Sequence, residues 1–312
     1  AVSVWGGEDG SYNTSSGVSS TAEYGKVFIS IKSTTGENLT TAQKEQLVKD
    51  LEPYKVASIT PVVVDPETTY LILGVTYSYD SSATTKTATD LSALVNITLQ
   101  SYNTTNLNTF NAPFRHSQLQ GLIDGTDTSI LMNTTTVTMA RLFTPTTTGS
   151  TSYTINFNNA FYNPVSGYQN TVIASTGFYI NGGTTEYFFD DDGSGNLRIY
   201  SIAVGVRTYY SSAAGTIDYA NGLITINGIL ISSTSNIDGV SSIQIRITAL
   251  SDSNDVIPVR NQLLEIDFTN STITSKVDAA ATTGVGYTTT TTGTTTSTSV
   301  NTTKSTTSSS SY

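Results

Sequence analysis

Val56-Ala57-Ser58-Ile59-Thr60-Pro61-Val62-Val63-Val64-Asp65-Pro66-Glu67-Thr68-Thr69-Tyr70-Leu71-Ile72-Leu73-Gly74-Val75-Thr76-Tyr77-Ser78-Tyr79 is the stretch on which the fold turns. β-Branched and aromatic residues dominate Val56–Val64 and Tyr70–Tyr79, as in half-buried strands. Asp65-Pro66-Glu67-Thr68 between them has turn chemistry, because proline fixes φ and Asp65 is placed to bond the backbone ahead of it. The expected unit is a hairpin. Thr87, with Asp90 three residues on, then opens a helix whose free amides the carboxylate would cap. Leu91, Leu94, Val95, Thr98 and Tyr102 recur at spacings of three and four, which places them on one helix face, packed on the hairpin.

Working outward toward the N-terminus, Tyr24–Ile31 reads as a first strand with Val27, Ile29 and Ile31 on one face. Thr40 and Gln43 form a capping-box pattern, and Leu47, Val48 and Leu51 supply the inward stripe of a short helix that Pro53 ends. Toward the C-terminus, Asn103–Asn133 is an insertion with a short helix at Ser117–Ile123, and Thr135–Phe143 is a further strand. The order β-α-β-β-α-β predicts a ferredoxin-like split βαβ domain over residues 24–145, with the insertion at 103–133. Residues 1–23, mostly Gly, Ser, Thr and Asn around Trp5, read as a linker or docking arm.

Pro145–Gly149 is a composition break and the expected domain boundary. Beyond it helical periodicity gives way to short alternating runs: Tyr153–Phe157, Val172–Ile180, Thr185–Phe189, Leu197–Ile202, Gly205–Tyr210 and Leu223–Ile226. Asn221-Gly222 between two of these runs favours a turn with positive φ. Ser242–Leu250 alternates strictly and reads as a half-buried strand. Residues 150–278 are therefore expected to form a β-rich sandwich or barrel-like domain, and the whole chain an α+β protein. Residues 279–312, almost wholly Thr and Ser from Thr288, offer too little apolar surface to offset ordering entropy and read as a disordered tail.

Only 12% of the 312 residues are charged, so hydroxyls and amides must wet most of the surface. The net charge of −10, with no dense run among the fourteen Lys and Arg, argues against a nucleic-acid face. Absence of cysteine excludes disulfides, thiolate nucleophiles and Cys-based metal sites. No hydrophobic run reaches membrane-spanning length. The start has neither the basic region nor the apolar core of a signal peptide and lacks an initiator methionine, so the chain reads as a fragment.

Two stretches have chemistry to weigh. His116, the single histidine, lies in Phe114-Arg115-His116-Ser117 with nothing near it resembling a nucleophile turn, so a Ser-His-Asp triad is set aside. Asp190-Asp191-Asp192-Gly193-Ser194-Gly195-Asn196 has the composition of a calcium loop. It lacks the alternating ligand spacing and the distal glutamate, and a polar hairpin loop is the favoured reading. No carboxylate pair and no phosphate loop stands out. No catalytic residue, metal or cofactor is expected, and the chain is not read as an enzyme.

Several stretches in order resemble the baseplate wedge protein family of T-even-like contractile-tailed phages, within the baseplate J-like group. They are Val4-Trp5-Gly6-Gly7-Glu8, Tyr24–Ile29, Val64-Asp65-Pro66-Glu67, Phe114-Arg115-His116-Ser117, Gly121-Leu122-Ile123-Asp124 and Ser253–Gln262. The resemblance implies a virion protein lacking the family's N-terminal part. It would be assembled in the host cytoplasm into a ring that joins wedges around the tail tube and rearranges on attachment. Implied partners are the chain itself and other wedge proteins, with no nucleic acid and no membrane. The alternative, from composition and tail alone, is a secreted or surface-displayed β-rich adhesin or carbohydrate-binding module. Within Asp255–Phe268, Pro258 cannot donate to a ladder, so the run should lie at a sheet edge. Val256, Ile257, Val259 and Arg260 are the candidate subunit contact.

Overall fold

The β-α-β run that opens the chain closes into a small sheet of its own, in a computed structural model that describes residues 1–9, 13–14, 17–18, 22–33, 38–56, 58–279, 281 and 296–299. Strand β1 (Val2–Gly6) is followed by the two-residue pair β2 (Asn13–Thr14) and β3 (Gly17–Val18), then β4 (Lys26–Ile31), α1 (Thr41–Leu51) and β5 (Thr60–Val64). Next come β6 (Glu67–Tyr79), α2 (Ala88–Asn106), α3 (His116–Asp124) and β7 (Ile130–Phe143). Strands alone follow: β8 (Thr151–Asn156), β9 (Ile173–Ser175), β10 (Phe178–Ile180), β11 (Glu186–Asp191), β12 (Asn196–Ala203) and β13 (Val206–Asp218). The last are β14 (Leu223–Ile229), β15 (Ile231–Thr234), β16 (Ile245–Leu250), β17 (Gln262–Ile266), β18 (Thr272–Val277) and β19 (Thr296–Ser299). The α+β, β-rich class expected from the sequence is what forms.

The chain divides into two units, one of Ala1–Thr69, Thr109–Ala112 and Met139–Leu264, the other of Tyr70–Asn108, Pro113–Thr138 and Glu265–Tyr312. In the second, the strand order is β19-β18-β6-β7. Strand β18 runs parallel to β6 with Ile273 opposite Val75, and β19 antiparallel to β18. Leu71, Leu73, Val75, Tyr77 and Tyr79 alternate along β6 and are all buried, each worth about 1.5–3 kcal/mol of transfer free energy for the aliphatic side chains. Helix α2 supplies the facing layer through buried Leu91, Val95, Leu99 and Tyr102. Its start has the expected capping box, Thr87 with Asp90. The Tyr77 hydroxyl satisfies its polar tip at the Ala88 carbonyl (3.1 Å) and the Ser92 Oγ (3.0 Å).

The first unit contains the sheet β1-β4-β5 and a larger antiparallel array in the order β16-β9-β11-β12-β13-β14-β8, with β10 between β11 and β15. Thr40 and Gln43 cap α1 as the sequence predicts. Trp5 stacks on Phe28 at 5.6 Å between ring centroids and both are buried with Val64.

Two expectations are corrected here. The ferredoxin-like split βαβ does not form: β4 and β5 are direct parallel neighbours, with Phe28 opposite Val62, and no strand lies between them. The hairpin is also absent, since β5 belongs to the β1-β4-β5 sheet and β6 lies between β18 and β7. The junction explains it. A two-residue hairpin turn needs positive φ, which Pro66 cannot take and Asp65 does not adopt. The Asp65 carbonyl instead accepts from Asn261 Nδ2 (3.0 Å), and the Glu67 N–H donates to the Asn261 carbonyl (2.9 Å), which holds the linker extended. The start of the arm at residues 1–23 is a strand, with Ser3 and Trp5 turned inward and Val2 and Val4 outward. The tail residues read as disordered include β19; the rest of residues 282–312 lie outside the described residues.

Candidate functional site

The densest polar cluster grows from the β11–β12 loop. Asp190 and Asp191 are consecutive on β11 and so point to opposite faces of the sheet, and both are buried. Asp191 Oδ1 accepts the N–H groups of Val172 (2.8 Å) and Ile173 (2.9 Å), while its Oδ2 accepts from the Tyr219 hydroxyl (2.8 Å). Burial, and then this hydrogen bond to a carboxylate, push the Tyr219 hydroxyl well above its ordinary value. Asp192 turns back on its own loop and accepts from the N–H groups of Ser194 (2.7 Å) and Asn196 (3.0 Å) and from Asn196 Nδ2 (2.6 Å). Burial alone would raise the Asp192 carboxyl, but the Asn196 and Ser194 bonds outweigh it and hold the group below its ordinary value.

Asp190 has no exposed surface and lies under two guanidinium groups. Arg198 binds it through Nε (2.9 Å) and Nη2 (3.1 Å), Arg207 through Nη1 (2.8 Å), and the Tyr209 hydroxyl donates at 3.2 Å. Arg198 lies 4.5 Å over the Tyr209 ring and Arg207 4.2 Å over the Tyr200 ring. Register makes this lattice: Asp190 is opposite Arg198, and Tyr200 opposite Tyr209, so alternate residues of three strands share one face. The three aspartates are therefore engaged by the scaffold's own donors. Among the described residues, no group of three or more His, Cys, Asp or Glu is placed to hold a metal ion.

His116 is the first residue of α3, and its Nε2 donates to the Thr135 carbonyl at 2.7 Å, which fixes the tautomer with the proton on Nε2. No helix among the described residues is long and apolar enough to cross a membrane.

The candidate contact run has an irregular backbone between β16 and β17. Val256 is fully buried, so it belongs to the core and offers no surface; Ile257 is 50% exposed and Val259 38%. Asn159 clamps Ile257 from both sides, accepting from its N–H (2.9 Å) and donating to its carbonyl (3.0 Å). Arg260 takes a positive φ of 59°, and its carbonyl accepts from Ser3 Oγ at 2.9 Å. The run is thus a pinned loop with two outward apolar side chains. Sequence reasoning missed the Arg198–Asp190–Arg207 lattice; the period-two pairs Arg198/Tyr200 and Arg207/Tyr209 were the available signal. It also missed the buried pair of Arg141 with Glu67.

These features define a β-rich α+β protein whose polar clusters serve its own scaffold and whose exposed apolar side chains are spread over strands, loops and helices. Residues 1–64 match the family model of baseplate structural protein gp6, C-terminal domain I, and residues 67–142 that of baseplate structural protein gp6, C-terminal domain III. The baseplate wedge protein gp6 of Enterobacteria phage T4 is 26% identical to this chain over 117 residues, 38% of this chain. The aligned stretch spans 18% of that relative's length. The resemblance read from the sequence is met by these matches: residues 1–64 and 67–142 are similar to two domains of the baseplate structural protein gp6. The two matched stretches meet at Asp65-Pro66, between the end of β5 and the start of β6.

Proposed function

We propose that this chain is a structural component of a contractile-tail baseplate wedge in the virion, binding other wedge proteins and further copies of itself in the ring around the tail tube. The observation that carries the reading is the tandem match of residues 1–64 and 67–142 to two domains of one baseplate structural protein. Its physical counterpart is a scaffold whose buried carboxylates are paired or hydrogen-bonded within the chain. Within the run proposed as a subunit contact, Ile257 and Val259 would make the apolar touch and Arg260 an ion pair or carbonyl contact at its rim. Rearrangement on attachment would then exchange such contacts between two ring states.

Particles made without the reading frame and complemented with an epitope-bearing copy test this. Label is expected at the baseplate, with tailless or sheathless particles when the frame is missing. Normal particles lacking the protein, or a secreted monomer that binds glycan, would favour the adhesin reading instead.

A further inference from the structure

Register places one set of side chains from β11, β12 and β13 on a single face of the sheet. Asp190 is opposite Arg198, Phe188 opposite Tyr200, Tyr200 opposite Tyr209 and Ile202 opposite Arg207. The β12–β13 pairing is regular from Ala203–Val206 to Tyr200–Tyr209, and its shifts in register begin only beyond that pair. On this face two guanidinium groups meet one carboxylate. Arg198 gives both Nε and Nη2 to Asp190, and its Nη2 also donates to the Asp191 carbonyl. Arg207 reaches Asp190 through Nη1 alone at 2.8 Å, one of its five N–H donors, and 43% of its side chain is exposed. One positive charge of the cluster is thus left over, at its exposed end. Glu186, the other acid on that face of β11, is two strands away from Arg207 and accepts from Ser235 Oγ.

The plane of that charge is fixed in advance. Arg207 lies 4.2 Å over the Tyr200 ring, which stacks on Phe188 at 5.6 Å between centroids. A guanidinium held on a ring has given up rotamer freedom before anything binds, so an incoming planar group meets a preset fork. Directly across the ladder, Ile202 is 54% exposed and offers an apolar surface beside the charge. An ion pair as exposed as Arg207–Asp190 adds little to stability, so holding the scaffold together does not account for the placement.

We propose that Arg207 is the docking point for a carboxylate of a partner protein: an Asp or Glu on an exposed segment of another member of the assembly, with an apolar residue beside it that lies on Ile202. Charge selects this occupant. The surplus is positive on a chain of net charge −10, and the planar fork matches a carboxylate through parallel hydrogen bonds. Arginine and tyrosine are also the side chains that most often carry the binding energy of protein interfaces. A nucleic acid would need a row of cations, and the cluster leaves only one. The face lies outside both stretches matched to gp6, so its partner chemistry is set by its own side chains. The inference rests on the assembly reading above for the existence of a partner.

The probe is the blocked peptide N-acetyl-Leu-Glu-Leu amide, titrated into the full chain beside its Gln counterpart and read by NMR at the Arg207 Nε–H and the Tyr209 ring. The Glu peptide should saturate both signals and bind at least about tenfold more tightly than the Gln peptide, because a hydrogen bond to a charged group is the stronger one. Arg207→Gln should remove that preference, with a melting temperature within about 4 °C of the parent. Ile202→Glu sets a carboxylate opposite Arg207 inside the same hairpin, so it should block the peptide by taking its place while the chain stays folded. In complemented particles, both variants should lose to the parent chain in competition for places in the baseplate. Equal affinity for the two peptides, or both variants entering baseplates as the parent does, overturns the inference and leaves the assembly reading standing. Tighter binding of inorganic phosphate than of the Glu peptide, or self-association that Arg207→Gln abolishes, would put a free anion or a second copy in the partner's place and overturns it too. A parent chain absent from baseplates sinks the assembly reading and the proposed partner with it.

Discussion

Removing the charge of Asp190 while keeping its shape tests how the β11-β12-β13 face is held. Asp190→Asn offers one acceptor oxygen where two guanidinium groups and the Tyr209 hydroxyl now converge, and it turns an amide donor toward them. Removing one partner of a buried ion pair costs about 3–5 kcal/mol, because the remaining charge stays desolvated. At about 2–4 °C per kcal/mol for a unit of this size, the melting temperature should fall by about 6–20 °C. The two arginines divide unequally. Arg198 is bidentate and its side chain 23% exposed, so Arg198→Ala should cost about 1.5–3 kcal/mol. The Arg207 side chain is 43% exposed, and solvent screening limits its loss to about 1 kcal/mol or less. Thermal and urea unfolding followed by circular dichroism would read the order Asp190→Asn, Arg198→Ala, Arg207→Ala. An Asp190→Asn variant within about 1 kcal/mol of the parent, or Arg207→Ala as costly as Arg198→Ala, would refute the account of this cluster as a desolvated hub.

Gly222 sits at φ 65°, and a Cβ there would lie 1.9 Å from the Asn159 carbonyl oxygen, so Gly222→Ala should lose about 1–3 kcal/mol or more in urea unfolding. Gly182, also at positive φ but open to space, should lose only the strain part. Hydrogen bonds from Lys86 and Ser129 hold the Asp127 carboxyl at about 2, so its stabilisation is complete above the ordinary aspartate value of 3.8 and is lost as pH falls through about 2. Lys86→Ala should therefore shrink the acid limb of the stability curve. Tyr219 has the opposite sign: its raised folded value means stability full below pH 10 and declining above it, and Tyr219→Phe should flatten that alkaline decline. Val259→Asp should leave the melting temperature unchanged and weaken assembly in sedimentation, whereas Val256→Asp, in the core, should unfold its unit.

Local structure is legible in the sequence where a short-range physical cause decides it. The capping boxes at Thr40 and Thr87, the single face of Leu91, Val95 and Tyr102, and the Asn221-Gly222 turn all rest on interactions within four residues. Pairing is not legible, because a strand's partner depends on residues far away. Asp65-Pro66 reads as a turn by composition, yet Asn261, nearly two hundred residues on, holds it extended. Trp5 lies in a polar stretch, and only the register of Val4 with Ile29 and Trp5 with Phe28 makes it core. The same limit hides the candidate site. Val256 reads as surface because Pro258 excludes a central ladder position, but an irregular loop can bury a side chain without any ladder. The aspartate run reads as a loop from its glycines, and the donors to Asp190 come from strands whose register no local pattern reveals.

The sparse charge of this chain acquires a meaning once its positions are known. Arg141 pairs with Glu67 where the two side chains are 8% and 15% exposed, and Asp190 and Asp191 are buried. Inward-pointing charge is itself one of the devices that keep an open strand edge from pairing. A surface wetted by Ser and Thr supplies solubility without the like-charge repulsion that would oppose close packing of identical copies. The combination suits the proposed wedge assembly, in which shape and register would choose the partner and charge would hold each subunit together from within.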